Sequence, residues 1–227
     1  MPPFRWSVTA SETKDDRAFF QDFPIPPSEP RPPSTRFVPP PWTAPPAYEL
    51  PVAVHIGQFL HRSPHMVMAV RSAEVYSTGC SFNLSWVFRR GDETEDGWAD
   101  KHSLFFQPGM GVRRGTRLLS GLMLGVELAD GSKASTGAHG PHGFMGSTEE
   151  PEPPTLALNG GGGSGADNEL AGTGSAWLWP LPPAGNFRLL AQWMDFGLAE
   201  SSVVLDGGKL REAAAGVQQF WTGGDQP

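Results

Sequence analysis

The sequence predicts an all-β fold: an antiparallel β-sandwich of about 7–9 strands, an extended proline-rich N-terminal arm and a short C-terminal helix. Three observations carry this. Glycine (28 residues) and proline (24) are abundant, and turn-rich β proteins use both while helix interiors tolerate neither. Several short segments alternate apolar and polar residues with period two. Prolines crowd positions 24–51, where neither a helix nor a central strand can persist.

The reading divides the chain into an arm (1–48), a single sandwich domain with its helix (49–222) and a tail (223–227). The arm opens on an aromatic and charged head, residues 1–23, containing Phe4, Trp6, Phe19, Phe20 and Phe23. Each later proline fixes φ and pushes the residue before it towards extended geometry. The expected state is polyproline II. Within Phe37-Val38-Pro39-Pro40-Pro41-Trp42, the candidate interaction residues are Phe37, Pro39, Pro40, Pro41 and Trp42. A pre-extended segment docks into a groove with little entropy left to lose. Phe37 and Trp42 are its expected anchors, on the sandwich or on a neighbour.

The elements follow in order. Val52, Val54 and Ile56 alternate with Ala53, His55 and Gly57, as in a half-buried strand. Residues 66–76 begin almost continuously apolar, which suits a strand covered on both faces. Their phase slips at Val75–Tyr76, which suggests a bulge or bend. Cys80, Phe82, Leu84, Trp86 and Phe88 share one phase of the cleanest strand, with Ser81, Asn83 and Ser85 in the other. Residues 91–102 read as a polar loop. Residues 118–129 read as one strand, followed by an Asp130-Gly131 turn of type I′. Residues 133–136 return, and 137–154 and the glycine-rich 159–165 read as loops. Trp177 and Trp179, then Asn186–Trp193, then 201–205 supply further strands. Leu210, Ala213, Ala214, Val217, Phe220 and Trp221 recur at helical spacing, with Asp206 or Gly208 as cap.

The net charge of −7 disfavours nucleic acid as a partner. Arg113, Arg114 and Arg117 are too small a basic group to reverse that, and read as a solvated loop beside the acidic run of Asp92, Glu93, Glu95 and Asp96. A lone cysteine, Cys80, excludes an intrachain disulfide. No secretory h-region and no apolar run long enough for a membrane span is present, so no membrane partner is expected and the cytoplasm is the expected compartment.

No catalytic signature emerges. Gly160, Gly162 and Gly165 spell a dinucleotide fingerprint, but the flanks are not the strand and helix that such a site needs. His55, His61 and His65, and His139 and His142, lie near one another in irregular, proline-broken stretches that hold no metal rigidly. Cys80 falls in the core phase and reads as an inert thiol. Hence no catalytic residue, metal or cofactor is expected. Trp98, in the acidic loop and outside strand periodicity, is the candidate aromatic platform for a sugar.

The blocks Glu74-Val-Tyr-Ser-Thr-Gly-Cys-Ser-Phe, Leu124-Gly-Val-Glu-Leu-Ala-Asp-Gly-Ser-Lys, Trp177-Leu-Trp-Pro-Leu-Pro-Pro-Ala-Gly and Gln192-Trp-Met-Asp-Phe-Gly-Leu-Ala-Glu-Ser, with the final alanine-rich helix ending Phe220-Trp221, carry a resemblance. Over roughly residues 48–221 the chain resembles a family of uncharacterised actinobacterial β-sandwich proteins. The resemblance implies an order of elements and supplies no catalytic residues. The function expected is a non-enzymatic structural or protein-interaction sandwich that docks through its arm, on a protein partner or a second copy. The alternatives are a carbohydrate- or small-ligand-binding sandwich and, third, an enzyme of unrecognised type.

Overall fold

The structure is a computed structural model and describes residues 38–106, 112–114, 117–119, 121–136, 150–159 and 161–221, the two short segments at 112–114 and 117–119 by backbone alone. The chain divides into two units, Met1–Phe37 and Val38–Pro227. Every described residue belongs to the second unit, so the arm residues 38–48 are part of the same compact body as the sheets.

The strands are β1 (Glu49–Leu50), β2 (Val52–Arg62), β3 (Met66–Val75), β4 (Cys80–Arg89), β5 (Val112–Arg114), β6 (Arg117–Leu119), β7 (Met123–Glu127), β8 (Lys133–Ser135), β9 (Thr155–Asn159), β10 (Gly163–Gly165), β11 (Glu169–Trp179), β12 (Asn186–Trp193), β13 (Leu198–Asp206) and β14 (Gln218–Gln219). Helix α1 spans Glu95–Phe105 and α2 spans Gly207–Ala214, with one 3₁₀ turn at Met194–Phe196. A six-stranded sheet runs β10-β11-β4-β3-β2, with β9 also paired to β11. A four-stranded sheet runs β13-β12-β7-β8. Their ladders are antiparallel throughout.

Strand β4 follows its alternation. Cys80, Phe82, Leu84, Trp86 and Phe88 are each 2% exposed or less, because period two sends all five to the inner face. Strand β3 departs from expectation. Val67 and Ala69 are only half-buried, so it is covered on one face rather than two. The phase does slip, but at Arg71 instead of Val75–Tyr76. Val70 opposes Leu84 and Ser72 opposes Asn83, which leaves Arg71 as the extra residue of a bulge. Met66, Met68 and Val70 point inward before the bulge, and Ala73 and Val75 after it.

The two sheets meet through aromatic pairs. Phe82 packs on Phe187 at 6.1 Å, Trp86 on Trp193 at 6.0 Å and Phe88 on Phe196 at 4.9 Å. Gly172 lies opposite Trp86, and a Cβ there would meet the indole Nε1 at 2.5 Å. The glycine therefore gives the large ring its room. Helix α1 closes one end, with Phe105 stacked on Trp193 at 6.0 Å.

Several local expectations are corrected. The acidic stretch read as loop 91–102 contains α1, started by Thr94, whose side chain accepts from the Gly97 amide at 3.2 Å. The expected strand 118–129 is split between β6 and β7. Its phase holds in Leu122, Leu124, Val126 and Leu128, all buried. The turn after it is not type I′. Gly131 has φ +86° and no non-glycine residue among the described ones has positive φ, so a type I-like turn ends in one left-handed glycine. The glycine-rich segment is not all loop, since Gly163–Gly165 pairs with Leu170–Gly172. Helix α2 starts at the Asp206 cap as expected but stops at Ala214. The rest of the apolar stripe turns back instead, and β14 pairs with β1.

Cys80 is a fully buried free thiol whose pKa is pushed far up by burial. Native protein is expected to leave a thiol reagent such as DTNB unreacted and to consume one equivalent on unfolding.

Candidate functional site

The outer face of the six-stranded sheet is built by the strand phases left over from the core. Register places Trp177, Ser81, Glu74 and Ala53 in one row across β11, β4, β3 and β2. The next row is Ser175, Asn83, Ser72 and His55, and the third is Thr173, Ser85, Ala69 and Phe59. Apart from Trp177 and Phe59 at two corners, these side chains are small or polar, and most are half-buried or exposed. The bulge residue Arg71 is exposed beside the second row.

A hydrogen-bond network sits on this face. The Asn83 amide Nδ2 donates to Ser72 Oγ and to Glu74 Oε1, both at 3.2 Å. The Tyr76 hydroxyl donates to Glu74 Oε2 at 3.5 Å. Burial first, and the Glu74 carboxylate after it, raise the Tyr76 phenol and keep it a donor.

The end of the proline-rich arm clamps the top of this face. Pro40 to Thr43 form a turn, with the Thr43 amide donating to Pro40 O at 3.0 Å, so extended polyproline II does not continue through it. The turn presents Trp42, which is 9% exposed and packs edge-on against Trp179 at 6.1 Å. Trp177 Nε1 donates to Pro41 O at 2.9 Å, and Thr155 Oγ1 donates to Trp42 O at 3.4 Å. Trp177 faces outward yet is fully buried, because this turn and Tyr76, 5.7 Å away, cover it. A second tie follows at Glu49, whose buried carboxylate accepts from the Ser77 amide (2.9 Å), Ser77 Oγ (2.5 Å) and Gln219 Nε2 (3.1 Å).

Of the other expected interaction residues, Pro39 and Pro40 are half-buried and Pro41 is exposed. Phe37 lies outside the described residues. Trp98 is in helix α1, not a loop. It is 8% exposed, stacked on Phe88 at 5.9 Å with the Arg90 guanidinium 5.5 Å from its ring, so it presents no open platform. Sequence reasoning passed over Arg71, Ser72 and Asn83. The polar phase of β4 was readable, but its neighbours across the sheet were not.

The cleft beside α1 is lined by Glu93, Thr94, Gly97, Asp100, Lys101, Leu104 and Asp195. Lys101 Nζ pairs with Glu93 Oε1 at 2.6 Å and lies 4.4 Å from the Phe88 ring centre. Asp100 and Asp195 are also engaged. Burial alone would raise the Glu93 carboxyl, but hydrogen bonds from Lys101 and the Gly91 amide outweigh it and hold the pKa low. A lowered native pKa means stability present above the unfolded carboxylate pKa and lost as pH falls through the native one. Acid denaturation of Lys101→Met is therefore expected to begin at higher pH than in the parent protein.

Among the described residues, no group of three or more His, Cys, Asp or Glu is placed to hold a metal, and no helix is long and apolar enough to cross a membrane. No family model, curated protein or solved structure matches the chain.

Proposed function

We propose that this is a binding protein that captures a protein partner, or a second copy of itself, through its proline-rich arm. The observation that supports this is the clamp at Trp42. It ties Pro41 and Trp42, at the C-terminal end of the proline-rich stretch, to Thr155, Trp177 and Trp179 of the six-stranded sheet. Beyond the clamp, residues 24–37 carry prolines at 24, 26, 27, 30, 32 and 33, preceded by Phe19, Phe20 and Phe23. A proline-dense sequence with aromatics beside it suits groove docking at low entropic cost, since each proline fixes φ in advance.

The test places a photo-crosslinking amino acid at Phe20 and, separately, at Phe37 in the full chain. Intermolecular adducts that map to a consistent surface are the expected result, with the native mass distribution altered by deleting residues 1–37. Adducts absent above background, together with unchanged mass and melting temperature on deletion, overturn the reading.

A further inference from the structure

We infer that the outer face of the six-stranded sheet is a carbohydrate-binding face, with Arg71, Ser72, Glu74 and Asn83 as its hydrogen-bonding centre. This does not depend on the arm having a partner. A solvated sheet face ordinarily carries long charged side chains. Here the outward positions of β3 and β4 are Val67, Ala69, Ser72, Glu74, Ser81, Asn83, Ser85 and Val87, with long charged side chains only at the bulge residue Arg71 and at Arg89 on the end of β4. Such a surface is smooth, and little side-chain entropy is lost when a ligand lies on it.

The polar groups match hydroxyls in particular. The Asn83 amide nitrogen is already oriented between Ser72 Oγ and Glu74 Oε1, 3.2 Å from each. The arrangement therefore offers a carboxylate and an amide oxygen as acceptors, and a hydroxyl that can do either task, side by side. Vicinal sugar hydroxyls need that alternation. The bulge at Arg71 adds a donor fork at the same place. Its side chain is exposed and makes no hydrogen bond or ion pair among the described residues. Bulges re-aim side chains in this way at binding sites. Phe59, 49% exposed with the Arg62 guanidinium 3.9 Å over its ring centre, lies at the lower edge. The clamp with Trp177 and Tyr76 walls the upper edge.

Competing occupants fit less well. Backbone groups of the central strands are consumed in their own ladders, so an extended peptide has nothing to add to. Glu74 in the middle of the face opposes a polyphosphate backbone.

The test uses the full chain, labelled with ¹⁵N and titrated separately with cellohexaose, mannohexaose and an oligogalacturonate. At least one is expected to give saturable shifts confined to amides of β2, β3, β4 and β11 that face this surface. Arg71→Ala, at an exposed position, is expected to keep the parent melting temperature and weaken binding at least about fivefold, and Asn83→Ala to weaken it further. Absence of saturation with all three at about 10 mM overturns the inference, since a dissociation constant near 1 mM is within reach of such sites. Shifts that map to another surface overturn it, as does unchanged binding in both variants. The crosslinking result for the arm is read separately, so either reading can fail alone.

Discussion

Replacing Trp193 with alanine is expected to cost about 4 kcal/mol of stability, the usual range for a large aromatic removed from a packed core. The ring is fully buried at the point where both sheets and α1 converge. Phe105 stacks on it at 6.0 Å, Trp86 meets it edge-on at 6.0 Å, and Phe196 lies 4.2 Å away. Each of these partners belongs to a different element, so the cavity cannot close by a small shift of one. For a domain of this size the melting temperature should fall by roughly 10–15 °C. Trp193→Phe should be far milder. Among the described residues the indole Nε1 is buried without a hydrogen-bond partner, and phenylalanine removes that donor while keeping most of the apolar area. Guanidinium denaturation of both variants checks the pair. A loss below about 1 kcal/mol for alanine would mean that the two sheets do not depend on this contact.

The second expectation concerns the clamp. Trp42→Ala should release the root of the arm and cost about 2–3 kcal/mol, the order for a large side chain returned to water. Three effects belong together. Trp177 and Trp179 lose their cover, the Trp177 indole loses a partner at Pro41, and Thr155 loses one at Trp42. Tryptophan emission should shift to the red. Limited proteolysis should gain a site between residues 38 and 47. Trp42→Phe should restore most of the melting temperature, because the edge-on packing against Trp179 needs a ring and not an indole nitrogen; that nitrogen has no hydrogen-bond partner among the described residues. An alanine variant with parent emission and parent protease resistance would show that Trp42 is not what holds the arm.

These two residues also mark what could be read in the chain and what could not. Trp193 sits in period-two alternation with Leu189 and Ala191, so its inward direction was legible. Trp42 sits in a proline run with no periodicity. Its aromatic character among prolines marked it as an anchor, but its seat against Trp179 joins residues far apart in sequence. Trp98 shows the reverse case. The acidic stretch around it lacks a strong apolar stripe, so the helix was hidden, and with it the fact that the ring faces inward. The C-terminal stripe misled differently. Its helical spacing runs on to Trp221, yet the Phe220 amide donates to Tyr48 O at 2.8 Å and the chain turns to pair with β1. Tertiary hydrogen bonding overrode a weak local preference.

By itself the sequence determined the all-β class, the inward faces of β4, β7 and β12 and the capping of α2. Those depend on side-chain period, turn residues and backbone dihedrals, all of which are local. Tertiary structure alone decided which strands are neighbours, where the bulge at Arg71 falls, and therefore that Ser72, Glu74 and Asn83 share one patch. It also decided that the arm's root covers Trp177. Register across strands and the docking of an irregular segment are set by long-range contacts, and no local pattern encodes the partner.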